Sequence, residues 1–324
     1  MAALALLADI GGTNTRVALA DGATVRKGSI RRYLNAQFPD LGAVLRQYLR
    51  DEGTAGVDGV CVAAAGPVRD GVAVMTNLDW RIDSAMLEGA TGAARSAILN
   101  DLQAQGHALG HIAPQDLRSV ISGPQAKDAA MLVVGVGTGM NAAPVHLAGG
   151  TRLVAASECG HISMPIRSER DFRLSQFLSQ TGPHAHGFAG VEDVLAGRGL
   201  ERVYAFVTHE LGQEITLSAA EIMARLAQGE AAAQETGRIY VGVLGAELGN
   251  LALIHLPFGG IYLIGGVARA MSPYFAPLGL KDAFCDKGRF GAFMGNFSVQ
   301  IVEDDYAALT GCAAYLDSLG QAQR

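Results

Sequence analysis

Cysteine is scarce: Cys61, Cys159, Cys285 and Cys312 are the only four in 324 residues, and none forms a Cys-x-x-Cys pair. Such spacing argues against a disulfide framework or a zinc site and fits reduced thiols in a cytosolic protein. Positive charge is short as well. The 25 Lys and Arg face 31 Asp and Glu, a formal net charge of −6, which argues against nucleic acid or an anionic membrane as the main partner. No run of 18 apolar residues lacks a polar or Pro/Gly break, so no membrane span is expected. Met1 to Leu7 is apolar but has no basic flank, and Asp9 soon interrupts it. That stretch reads as a first strand rather than a signal peptide, and the expected compartment is the cytoplasm. No Walker A string, His-Glu-x-x-His or Gly-x-Ser-x-Gly occurs.

What is plentiful is apolar residues, at 49%, and glycine, at 42 residues. The length allows two domains and a large core. The glycine count, about twice average usage, points to many tight turns and close backbone approaches. The stretch Leu6 to Leu19 has two apolar runs around Gly11-Gly12-Thr13-Asn14, the pattern of a β-hairpin. Paired glycines let consecutive N–H groups point into the loop, a concavity suited to phosphate. Asp9 ends the first run, where a carboxylate can hold Mg²⁺ through water. Ala8, Asp9, Ile10, Gly11, Gly12, Thr13, Asn14 and Arg16 are therefore candidate ATP-binding residues; the bland alternative is an ordinary Gly-rich hairpin.

Further along, Val25 to Tyr33 reads as a strand, and Phe38 to Asp51 as a helix with Leu41, Val44, Leu45, Tyr48 and Leu49 on one face. Val57 to Ala65 is a buried strand closed by Gly66-Pro67, and Gly71 to Met75 another. Strands alternating with helices indicate an α/β domain. The strand Ala97 to Leu99 delivers Asn100 and Asp101 at its C-terminal end, where open α/β sheets bind ligands. Asp101 is the candidate general base and Asn100 a donor and acceptor for hydroxyls; taken alone, the pair also fits a helix N-cap. Leu102 to Leu109 reads as helix, with a domain boundary near Gly110 to Ser122.

Met131 to Val145 repeats the opening device, strand, Gly137-Thr138-Gly139, strand. Two such hairpins imply an internal duplication with one nucleotide between two similar folds. The second string is no Rossmann fingerprint, because Met140 stands where a third glycine is needed. Glu158, His161 and Glu192 could complete a ring of polar groups around hydroxyls, although His161 alone reads as structural and Glu192 alone as a surface or capping residue. His184 and His186 read as a solvated loop rather than a metal site. Ser218 and Glu221 form a capping box, and a long helix runs from Ala231 to His255. Ile261 to Ile264 enters a third glycine turn, Gly265-Gly266. Phe284 to Phe297 reads as core, and Lys287 and Arg289 as surface or a phosphate neighbour. A strand, Val299 to Val302, and a helix, Ala307 to Leu319, end the chain.

Together these motifs resemble the bacterial glucokinase family, within the sugar kinase, actin and Hsp70 ATPase superfamily, over essentially the whole chain. Asp9 to Arg16 is similar to its first phosphate loop, Met75-Thr76-Asn77 through Trp80 to its Met-Thr-Asn-x-x-Trp segment, and Gly137-Thr138-Gly139 to its second loop. Asn100-Asp101 matches the glucose-binding Asn and catalytic Asp, and Glu158-x-Gly160-His161 the sugar motif. Glu192 matches the Glu of Glu-x-Val-Leu-Ser-Gly-x-Gly, Gly265-Gly266 the adenosine turn, and Asp286 to Phe290 the Asp-Lys-Gly-Arg-Phe string. Two positions depart: Met140-Asn141 stands where Leu-Gly is usual, and Cys159 where glycine is usual. The zinc motif of the related ROK kinases is absent.

The resemblance implies an α/β fold of two ribonuclease-H-like (actin-like ATPase) domains flanking a cleft, residues 1–111 with 303–324 and residues 112–302. It implies phosphorylation of glucose by ATP with Mg²⁺, and a homodimer with no nucleic-acid or membrane partner. Alternatives are a kinase for another hexose or modified sugar, and a sugar-sensing regulator, which would carry an N-terminal helix-turn-helix where this chain begins with the phosphate hairpin.

Overall fold

The computed structural model describes residues 3–75, 78–149, 151–181 and 187–321. Its first sheet follows from alternation in β1 (Leu4–Ile10). Leu6, Ala8 and Ile10 face one core, with Leu41, Val44, Leu45, Tyr48 and Leu49 of α1 (Leu41–Asp51). Ala5 and Leu7 face a second core with Cys61, Ala63 and Ala97, covered by Leu309, Cys312 and Ala313 of the C-terminal helix, Ala307–Gln321. A period of two thus sends alternate side chains to opposite faces, and helices cover both.

β1 pairs antiparallel with β2 (Asn14–Asp21) and parallel with β5 (Gly59–Ala64). β3 (Thr24–Val25) and β4 (Arg31–Leu34) flank β2, and β9 (Arg95–Asn100) lies parallel beyond β5. The order is β3-β2-β1-β5-β9. A small separate sheet holds β6 (Val68–Arg69), β7 (Val72–Val74) and β8 (Arg81–Ile82). Helices α2 (Ser84–Thr91) and α3 (Asp101–Ala108) flank β9 in sequence. The expected strand from Val25 to Tyr33 is interrupted. Lys27–Ser29 forms a 3-10 turn because the buried Ser29 hydroxyl accepts from Leu19 N at 2.9 Å and donates to Arg26 O at 2.7 Å.

The second sheet has the order β10-β15-β14-β11-β12-β13. Its strands are β10 (Leu117–Ile121), β11 (Met131–Val136), β12 (Met140–Ala148), β13 (Thr151–Val154), β14 (Ile261–Ile264) and β15 (Val299–Val302). β11, β14 and β15 run parallel. Helices α4 (Glu169–Gln180), α5 (Gly197–Glu210), α6 (Ala219–Ala227), α7 (Ala231–His255), α8 (Gly266–Phe275) and α9 (Leu280–Cys285) fill out this half. Leu132, Val134 and Val136 pack in one core with Val203 and Phe206 of α5 and Tyr240, Leu244 and Leu248 of α7. The expected Ser218–Glu221 capping box opens α6.

By length and composition α7 could cross a membrane, but 67% of its most apolar 18-residue window is buried in the protein, as in a core helix. Gly245 and Gly249 let α9 close on it: a β-carbon at 245 would lie 2.6 Å from Ala283 Cβ, and one at 249 would lie 2.7 Å from Phe284 O. Lys287 is not a plain surface residue. Its ammonium donates to Ala246 O at 2.8 Å and Asn250 Oδ1 at 2.7 Å, tying the following loop to α7. Arg289 is exposed, and Phe284, Met294 and Phe297 are buried core, while Phe290 is 44% exposed.

The chain divides into two compact units, one of Met1–Asp116, Val145–Ala156 and Asp304–Arg324, the other of Leu117–Pro144 and Ser157–Glu303. This differs from the expected 1–111 with 303–324 and 112–302. The first boundary falls after Asp116, and Val145–Ala156 joins the first unit. There Val145 and Val154 pack against Gly106 of α3, a long-range contact that no local composition signals.

Candidate active site

In the first unit, the turn between β1 and β2 is tied by Gly11 N donating to Asn14 O at 2.9 Å. Its anchor is Asn35, a residue the sequence reading passed over. Asn35 is 2% exposed; its Nδ2 donates to Gly11 O at 2.7 Å, its Oδ1 accepts from the Thr15 hydroxyl at 2.8 Å, and its N–H donates to Thr13 O at 2.9 Å. One asparagine therefore fixes both ends of the loop, while Gly12 and Thr13 stay exposed. No local pattern marks it: Asn35 opens a 3-10 turn just after the mostly exposed strand Arg31–Leu34. Asn35→Ala leaves the buried Thr15 hydroxyl and Gly11 carbonyl without this partner, a loss of about 1–3 kcal/mol. The expected result is a lower thermal midpoint, read by thermal denaturation.

Asp9 and Arg16 are cross-strand partners, with Arg16 Nη1 3.1 Å from Asp9 Oδ2. Burial pushes the Asp9 carboxyl above its usual range, against the opposing pull of Arg16. A carboxylate held at such a cost fits a nearby cation.

At the end of β9, Asn100 is the N-cap of α3: Oδ1 accepts from Leu102 N at 3.0 Å, and Gln103 Oε1 accepts from Asn100 N at 3.2 Å. Its Nδ2 donates to Gly66 O at 3.0 Å, the carbonyl before Pro67. Capping and site placement thus coincide, because the cap fixes the residue that follows. Asp101 opens α3, with Oδ1 accepting from Leu102 N at 2.8 Å. Its pKa rises to about 6, chiefly through burial and further through the charge of Asp9, against the Leu102 N–H. A carboxyl poised near neutrality is suited to accepting a proton. Met75 and Trp80 are buried and joined by Met75 N donating to Trp80 O at 3.2 Å; Thr76 and Asn77 lie outside the described residues.

In the second unit, Gly137 N donates to Gly139 O at 2.9 Å, and Gly197 N, at the start of α5, to Gly137 O at 3.0 Å. Gly139 lies against Glu192: a β-carbon there would overlap the Glu192 carboxylate and lie 3.0 Å from its carbon, so a larger residue would displace that side chain. Glu192 Oε2 accepts from Met140 N at 2.9 Å, and Oε1 is paired with Arg198. Glu192 is thus held at the turn rather than serving as a helix cap. Gly265 adopts φ +103° beside Val136 O, which lets β14 pass directly into α8 with Gly266 exposed. Glu158 and His161 lie at either end of a 3-10 turn, both exposed. His161 and Glu192 line one cavity of about 320 Å³, with Phe188, Arg198 and Arg202; Arg202 is paired with Asp193. His161 is therefore not a buried structural histidine. His184 and His186 lie outside the described residues. Asn141, which touches the Glu158 carboxylate, and Arg198, which pairs with Glu192, are not among the candidates that the sequence offers.

The Glucokinase family profile matches residues 6–319. A glucokinase of Caulobacter vibrioides is 30% identical, with 98% of this chain and 97% of that protein covered. A bifunctional glk protein of Burkholderia orbicola is 31% identical over 96% of this chain, which spans about half (48%) of that protein's length. Among solved structures, glucokinase from an Antarctic psychrotroph superposes with a TM-score of 0.88 at 27% identity, covering 98% of this chain and 100% of that one. A family match over residues 6–319 shows that the chain belongs to the glucokinase family.

Proposed function

We propose that this chain transfers the γ-phosphoryl group of ATP to D-glucose, giving glucose 6-phosphate and ADP, with Asp101 as general base. The observation that carries the reading is Asp101 itself, a carboxyl raised to about 6 at the first position of α3. Phosphoryl transfer asks a protein mainly for positioning and charge stabilisation. In this reading Asp101 orients the glucose 6-hydroxyl and accepts its proton as the O–P bond forms. Asn100, Glu158, His161 and Glu192 bind the remaining hydroxyls. A site that hydrogen-bonds each hydroxyl discriminates, since an analogue lacking a hydroxyl leaves a polar group unpartnered.

The nucleotide phosphates are assigned to Gly11, Gly12, Thr13 and Asn14 with Ala8, Ile10 and Arg16, and to Gly137, Thr138 and Gly139; Gly265 and Gly266 are assigned to the adenosine. Mg²⁺ bound with ATP would neutralise phosphate charge, and Asp9, ionised at a desolvation cost, is the residue that suits holding it through water. Two ribonuclease-H-like domains are part of the proposal. Their support is that both sheets place an antiparallel hairpin beside parallel strands in one order, β3-β2-β1-β5-β9 and β13-β12-β11-β14-β15. A cytoplasmic homodimer completes it, by analogy with the family.

The test is ADP release by purified protein with Mg-ATP and glucose, mannose, fructose, glucosamine or no sugar. Strong turnover on glucose alone is expected. Preference for another sugar would move the substrate assignment, and silence on all of them would sink the kinase reading.

A further inference from the structure

The two positions that depart from the family pattern, Asn141 and Cys159, touch each other. Asn141 is the second residue of β12, two places after Gly139. Its Oδ1 accepts from Cys159 N at 3.1 Å, from the Ser157 hydroxyl at 3.2 Å and from the Cys159 thiol at 3.6 Å. Its Nδ2 donates to Ser157 O and, at 3.3 Å, to Glu158 Oε2. A glycine at 141 could make none of these bonds, and a glycine at 159 would lack the thiol.

The preceding residue adds two further ties. Met140 N donates to Glu192 Oε2 at 2.9 Å, and Met140 O lies so close to Gly160 that a β-carbon there would overlap it. Two consecutive residues at the start of β12 therefore touch Glu158, Gly160 and Glu192, directly after the glycine turn.

From this, and resting on the function proposed above, we infer that Asn141 is a positioning residue that locks the sugar motif to the second phosphate turn. Its partner in the task is Cys159, the two substitutions forming one unit. Glucose affinity in this chain thus depends on a side chain that the usual family pattern lacks. Asn141→Asp is the most informative variant, because it keeps the acceptor oxygen, removes the donor and sets a negative charge against Ser157 O and Glu158. Asn141→Gly and Cys159→Gly, singly and together, restore the family residues.

Steady-state kinetics would vary glucose at saturating Mg-ATP and Mg-ATP at saturating glucose, with thermal denaturation to check folding. The expected result for Asn141→Asp is a KM for glucose raised about tenfold, as for loss of a charge-assisted bond, with KM for ATP within about twofold of wild type. The double glycine variant is expected to be no worse than the poorer single variant, the non-additivity of residues acting as one unit. An unchanged glucose KM in both Asn141 variants, or a parallel rise for both substrates, would overturn the inference. So would additive effects of the two glycines. Should Asn141→Gly fail to fold, Asn141→Asp decides. A wild-type protein inactive on glucose would instead overturn the functional reading on which the inference rests, a result separate from active wild type with indifferent variants.

Discussion

Asp101→Asn is expected to cut turnover about 10²–10⁴-fold, the usual worth of a positioned general base, while leaving ATP binding largely intact. The amide keeps the size of the side chain and can still accept from Leu102 N, so the helix cap formed by Asn100 survives. Near-wild-type turnover from this variant would sink the assignment. In the wild type, kcat/KM for glucose should rise with pH through the Asp101 pKa of about 6 and level off above it. The sign for stability is opposite. Burial raises this carboxyl in the native state, so its ionisation weakens the fold progressively from its unfolded pKa of 3.8 up to about 6. Asp101→Asn removes that cost. At pH 8 the variant is expected to melt above wild type, with the gap closing towards pH 4. A variant less stable than wild type at pH 8 would show that the carboxylate is held by favourable bonds rather than strained by burial.

Gly311→Ala should be the most damaging small substitution in the first unit. Gly311 lies in the C-terminal helix where it crosses α3, and a β-carbon there would overlap Ala104 O, lie 2.6 Å from Ala104 C and 3.0 Å from Ala108 N. These are backbone atoms of α3, so no rotamer change relieves the clash and one helix must shift. Overpacking of this kind costs about 1–3 kcal/mol or more. The shift also reaches function, because α3 begins at Asp101; kcat should fall together with the thermal midpoint. Gly89→Ala in α2 is the control. Nothing lies within 4 Å of a β-carbon there, and alanine in a helix interior gains about 0.5–1 kcal/mol over glycine. Equal behaviour of the two variants would mean that the close approach at Gly311 does not govern stability.

Much of this architecture is legible along the chain because it rests on local chemistry. The alternation of β1, the apolar stripe of α1, the Ser218–Glu221 cap and the strand from Val299 to Val302 all follow from period and propensity over a few residues. The glycine turns are legible for the same reason. Where the reading failed, distant partners had intervened. The strand expected from Val25 to Tyr33 breaks because Ser29 turns inward to Leu19 N, and Lys287 leaves the surface for the carbonyl of Ala246.

The sequence by itself determined the class of chemistry: two glycine hairpins, an Asn-Asp pair at a strand end and a Glu-x-Gly-His motif, in one order. Each is a short string that neighbouring residues alone make recognisable. Only the tertiary structure decided what holds those strings in place. Asn35 fixes a loop that ends 21 residues before it, burial sets the proton affinity of Asp101, and Gly311 admits the helix that backs it. Asn141 and Cys159 become a pair only when β12 and the sugar motif pack together. Desolvation and close packing arise from residues remote in sequence, so no local pattern can carry them.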